Sequence, residues 1–104
     1  MQKKLRKNLN AKMIMDILKK NRDFLKKFQV RKIGLFGSYL KGREDSRSDI
    51  DFLVDFENPS YDNFMELVFC LENFFHKKIE LITKGNLSPY IAPFVEKEVQ
   101  WYEA

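Results

Sequence analysis

Residues 37 to 51 read Gly-Ser-Tyr-Leu-Lys-Gly-Arg-Glu-Asp-Ser-Arg-Ser-Asp-Ile-Asp and follow the apolar run Ile33-Gly34-Leu35-Phe36. A glycine-serine turn closes a strand, a polar loop follows, and two carboxylates spaced two apart open the next strand. Strand residues rise about 3.3 Å each and alternate faces, so Asp49 and Asp51 project from one face ~6.6 Å apart while Ile50, Phe52 and Val54 turn into the core. At that spacing two like charges repel by about 2.5 kcal/mol at an effective dielectric of 20, a cost that a bound cation removes. The pair is therefore a metal-site candidate.

Working outward, Met13, Ile14, Ile17, Leu18, Phe24, Leu25 and Phe28 fall on one arc of a helix and Lys19, Lys20, Arg22, Lys26 and Lys27 on the other, with Asn10 as its N-cap. Lys32 to Phe36 form a short strand in which Gly34 lets another group approach the backbone closely. Residues 42 to 48 contain no apolar side chain and form a loop. The second strand runs from about Asp49 to Phe56. Ser60 then caps a helix to about Phe75 whose apolar residues, Phe64 to Phe75, cover more than half its circumference. That excess is either the centre of a crowded core or a surface for homo- or hetero-oligomers through helix 60–75. Lys78 to Thr83 make a third strand with Glu80 between Ile79 and Leu81, and Ser88-Pro89 open a final helix carrying Ile91 through Tyr102. The order predicts one domain over residues 1–104, α+β (α/β) in class, with a small mixed sheet of three or four strands and helices on one face. Residues 1–8 read as a flexible basic tail.

The composition, 44% hydrophobic and 33% charged with ten Phe in 104 residues, fits a folded domain too small for a second substrate-binding lobe. A net charge of +4 suits an anionic ligand or acidic partner but falls short of a dedicated nucleic-acid binder. The single cysteine, Cys70, excludes an internal disulfide, and no apolar run reaches membrane-spanning length; the expectation is a cytoplasmic protein. Cys70 sits in an apolar stretch and reads as an inert thiol.

Gly37 and Ser38 supply backbone N–H groups and a hydroxyl where phosphate oxygens bind readily. Their weight comes from the acids that follow: Asp49, Asp51 and, if its strand is in register, Glu80. Three such carboxylates can bind two Mg²⁺ ions, with Mn²⁺ the alternative, in front of a triphosphate. The competing reading makes all three ordinary solvent-facing strand residues, and a one-residue slip would remove Glu80. Lys41, Arg43 and Arg47 either offset phosphate charge or stay solvated, and Tyr39 either stacks on a base or packs.

With Gly37-Ser38, Gly42, Ser48-Asp49-Ile50-Asp51-Phe52-Leu53-Val54, Glu80 and Val99-Gln100-Trp101-Tyr102 in view, the chain resembles the minimal nucleotidyltransferases of the polymerase-β-like superfamily. The resemblance implies that superfamily's core fold and transfer of AMP from ATP to a hydroxyl. It further implies an antitoxin that silences a HEPN-domain ribonuclease toxin by AMPylation of a tyrosine. Carried over, Asp49, Asp51 and Glu80 are the catalytic and metal-binding residues. Gly37, Ser38, Lys41, Arg47 and Ser48 are the nucleotide-binding ones. Two departures stand out: the third acid is commonly aspartate, and an arginine often precedes the second glycine where Lys41 stands. The alternative function is an antitoxin that neutralises its partner by binding alone, through the apolar helix from Ser60.

Overall fold

The computed structural model describes residues 9–45 and 47–103, so the basic segment 1–8 lies outside the described residues. The chain begins with α1 (Ala11–Lys20) and α2 (Arg22–Lys27), followed by strand β1 (Val30–Phe36) and the single turn α3 (Ser38–Lys41). Strand β2 (Ile50–Phe56), helix α4 (Tyr61–Phe75) and strand β3 (Ile79–Thr83) come next, and after a 3-10 turn at Lys84–Asn86 the chain ends in α5 (Ala92–Glu98) and β4 (Gln100–Glu103).

Local chemistry sets the helix boundaries. The Asn10 side chain accepts from the Met13 N–H at 2.9 Å, and the Ser60 hydroxyl accepts from the Asn63 N–H at 3.1 Å, so both predicted N-caps hold orphan donors of a first turn. The continuous amphipathic helix expected through Phe28 is in fact two helices. Asn21 leaves helical geometry at φ −113 and ψ 29, and its side-chain amide donates to the Ile17 carbonyl at 2.8 Å. A short polar side chain bonding the backbone competes with helix continuation, and the apolar arc survives because α2 resumes one residue later.

The four strands lie in the order β3-β2-β1-β4, with β2 and β3 parallel and both β1 pairings antiparallel, a mixed sheet. Val99 to Tyr102 are not the end of a helix, as their place in the expected final helix implied. Val99 leaves the helix with extended backbone at ψ 139, and Gln100–Glu103 pair with β1 as an edge strand. The pairing saturates β1 on both sides, and β-branched and aromatic residues such as Val99, Trp101 and Tyr102 suit a sheet edge.

One face of the sheet carries Ile33, Leu35, Ile50, Phe52, Val54, Ile79 and Leu81, which bury against Ile14, Leu18, Leu25, Leu67, Leu71 and Phe75 of α1, α2 and α4. Phe52 and Phe75 meet with ring centroids 5.9 Å apart. Most of the apolar excess of α4 goes into this core: Leu67 and Leu71 are fully buried, and Phe74 lies edge-on to Phe24 at 4.8 Å, leaving Phe69 the most exposed of its phenylalanines. Cys70 is half-buried, and burial pushes its thiol up, away from the reactive thiolate.

The opposite face is partly covered by the C-terminal segment. The row across the sheet is Trp101, Gly34, Leu53 and Ile82. Trp101 lies over Gly34, where a Cβ would sit 2.9 Å from its ring carbon Cε3, and Lys32 Nζ stands 4.3 Å from the ring centroid. The close approach expected at Gly34 is therefore made by this chain's own Val99 and Trp101, with Val99 Cγ2 the nearer of the two. Gly34→Ala should lower stability by about 1–3 kcal/mol through overpacking, read as a fall in the urea midpoint at unchanged m-value.

Candidate active site

The row next to Gly34 and Leu53 toward the carboxyl end of β1 is Phe36, Asp51 and Glu80. Asp51 and Glu80 are partners in the parallel β2–β3 ladder, so two carboxylates start from adjacent strands, about 4.8 Å apart. Asp49 lies just ahead of β2, on the face that alternation gives Asp51. The register of β3 thus places Glu80 beside Asp51 rather than a residue away, with Asp49 two positions ahead of Asp51.

Asp51 feels both neighbours. Burial, then the charges of Glu80 and Asp49, push its carboxyl from an ordinary value of 3.8 to about 6. Among the described residues no three histidine, cysteine or carboxylate side chains stand close enough to enclose a metal ion by themselves. The cluster is instead open and oxygen-only. Such a donor set matches a hard divalent cation that takes one or two protein carboxylates and completes its shell with water and substrate phosphates.

Gly37 fixes the other wall. It connects β1 to α3 at φ 77 and ψ −149, and a Cβ there would collide with Asp51 Oδ2. Both the left-handed backbone and the carboxylate packed against its Cα require glycine. Ser38 opens α3, and Gly42 closes it in left-handed geometry at φ 71. The first N–H groups of this single turn have no helical partner of their own, which leaves donors next to the acids.

The remaining candidates divide. Lys41, on the last position of α3, forms an ion pair of 3.4 Å with Glu98 of α5. Ser48 turns its hydroxyl back onto the loop, where it accepts from the Asp45 N–H at 2.9 Å, while the Arg47 N–H donates to Asp45 Oδ1 at 2.8 Å. Arg47 is exposed. The Tyr39 ring is buried in the helix-side core, which decides for packing over base stacking, and Lys77 Nζ stands 5.9 Å from its centroid. The Lys41–Glu98 pair was missed from sequence because it joins positions far apart in the chain, and no local pattern announces it.

The nucleotidyltransferase domain model matches residues 14–102, and the chain belongs to that family. It is 42% identical over 79 residues to protein adenylyltransferase MntA of Thermococcus cleftensis, covering 75% of this chain and 80% of the relative. In fold it resembles a protein described as a minimal nucleotidyltransferase at TM-score 0.76 and 20% identity, over 89% of this chain and 96% of that one. A chain from the complex of tri-AMPylated Shewanella oneidensis HEPN toxin with MNT antitoxin superposes at TM-score 0.63 and 20% identity, over 88% of this chain and 74% of the other.

The raised Asp51 carboxyl has a stability consequence of definite sign. Its folded value, about 6, exceeds the ordinary 3.8, so folding favours the protonated form. That contribution is complete below pH 3.8 and is lost as pH rises through 6. A full shift of this size corresponds to about 3 kcal/mol, and screening of a half-exposed group reduces it to roughly 1–2 kcal/mol. Asp51→Asn should therefore raise the stability of the metal-free protein by that amount near pH 8, with no gain below about pH 4, in denaturation curves recorded at both pH values.

Proposed function

We propose that this protein transfers AMP from ATP to a hydroxyl of a partner protein, a tyrosine of a HEPN-type toxin, and so acts as the antitoxin of a toxin–antitoxin pair. The observation that carries the reading is the ladder pairing of Asp51 with Glu80, with Asp49 beside them and Gly37 packed on the Asp51 carboxylate. The named activity of the Thermococcus relative and the AMPylated HEPN partner of the structural neighbour support the choice of reaction and target.

The family's chemistry is divalent-metal chemistry, and the three carboxylates fit Mg²⁺. Asp49 and Asp51 would hold it, with Glu80 adding a third oxygen donor. When bound, the cation supplies charge neutralisation at the triphosphate and acidifies the attacking hydroxyl. The chain's own residues do the rest. N–H groups of the Gly37–Ser38 turn and the Ser38 hydroxyl bind the terminal phosphates, and the missing Cβ of Gly37 lets them approach Asp51. Glu80 is exposed on an edge strand, so an acceptor can enter beside it without threading the core. It takes the proton of the incoming hydroxyl. The hydroxyl oxygen then forms a bond to the α-phosphorus, the bond from that phosphorus to the β-phosphate oxygen breaks, and pyrophosphate leaves.

Incubation of the pure protein with labelled ATP, Mg²⁺ and its HEPN-type partner should label the partner, with an intact-mass gain of whole AMP units. Asp49→Ala should abolish labelling. An unlabelled partner that is nevertheless neutralised, by wild type and Asp51→Asn alike, would replace transfer with neutralisation by binding alone.

A further inference from the structure

The segment between the 3-10 turn and β4 exposes its largest apolar side chains. Tyr90 is 86% exposed, Phe94 71% and Ile91 49%, and none of the seven residues of α5 is buried. A helix this short does not hold itself together in water. Here Pro93 stands in its first turn, the Ser88 carbonyl accepts from the Ile91 and Ala92 N–H groups at 3.0 and 2.8 Å, and Glu98 pairs with Lys41. The helix is held by polar contacts at its two ends and half-buries Ala92 and Val95, while Ile91 and Phe94 stay exposed. Ile91 and Phe94 are three apart and share one helical face, with Tyr90 beside them. By the ordinary size of such side chains the three expose about 400 Å², at the scale where an apolar patch marks an interaction site.

The patch is on the rim of the active site. Glu98 is tied to Lys41, the last residue of the turn that Gly37 and Ser38 open, and Phe94 lies one helical turn before Glu98, about 6 Å along the axis. The β1–β4 and β1–β2 pairings set the C-terminal end of α5 at the same end of the sheet as Asp51, two strands away, so a protein surface that reaches Asp51 across β1 meets this patch. The patch contains no cation to recruit phosphate. Its area is also about half of one side of a standard interface, too little for a lasting dimer of this chain and suited to a partner that is modified and released.

We infer that Tyr90, Ile91 and Phe94 form the docking surface for the protein that presents the acceptor hydroxyl, an inference that rests on the transfer reading above. Its occupant is a protein surface with an apolar patch next to the modified side chain.

The test compares wild type with Tyr90→Ser/Phe94→Ser, both exposed positions whose change leaves the fold intact. Calorimetric binding of the purified HEPN-type partner should weaken by at least about tenfold. The KM for the partner in AMP transfer should rise in parallel, with affinity for Mg·ATP unchanged. Phe69→Asp, on α4, should leave partner affinity as it was. Unchanged partner affinity and KM in the double variant would overturn the assignment, as would partner binding lost only in Phe69→Asp or failure of wild type to bind the partner at all. A wild-type dimer in sedimentation that the double variant dissolves would give the surface to a second copy instead. If wild type binds the partner through this face yet transfers no AMP, the docking surface stands and the transfer reading falls.

Discussion

The carboxylates of Asp51 and Glu80 repel each other across one ladder step, and the surrounding sheet keeps them there. Strand β2 bears the strain: Ile50, Phe52, Leu53 and Val54 are fully buried, so the strand is clamped from both faces. A slip by one residue would drive Asp51 into the helix-side core and lift Phe52 out of it, at a cost of several kcal/mol in apolar burial alone. That exceeds the repulsion between the acids. The core therefore imposes a charge arrangement that the metal-free protein would be more stable without, as is common where a binding site opposes stability.

Gly37 and the C-terminal segment complete the same arrangement from opposite sides. The missing Cβ at Gly37 lets the turn after β1 touch the Asp51 carboxylate, which brings the N–H groups of that turn close to the acids. On the other side α5 and β4 return the chain to the site. Trp101 seats on Gly34 in the neighbouring row, and the Lys41–Glu98 pair joins α5 to α3. An exposed ion pair of this kind contributes little to stability, so its consequence is orientation. It sets α5, none of whose residues is buried, beside the turn that Gly37 and Ser38 open.

The local elements were readable because their causes are local. Asn10 and Ser60 sit where a side-chain oxygen must meet a free N–H, and Ile50, Phe52 and Val54 alternate with Asp49, Asp51 and Asp55 at the period of a strand. The misreadings were cases in which one local rule was outvoted. Asn21 stopped a helix that its apolar arc continued. Trp101 and Tyr102 are apolar residues that fit the tail of a helix, yet the unpaired edge of β1 drew Gln100–Glu103 into the sheet.

The sequence by itself determined the residues of the candidate site: two acids on one face, a glycine that alone tolerates the turn before them, and a third acid centred in a later strand. Those follow from side-chain type and from a backbone period of two, which short stretches carry within themselves. Only the tertiary structure decided that Glu80 stands beside Asp51, that β4 closes the far edge, and that Tyr90, Ile91 and Phe94 face outward at the rim. Register between strands separated by a fifteen-residue helix, and the exposure of a helix face, depend on what the rest of the chain leaves room for, so neighbours in the sequence cannot encode them.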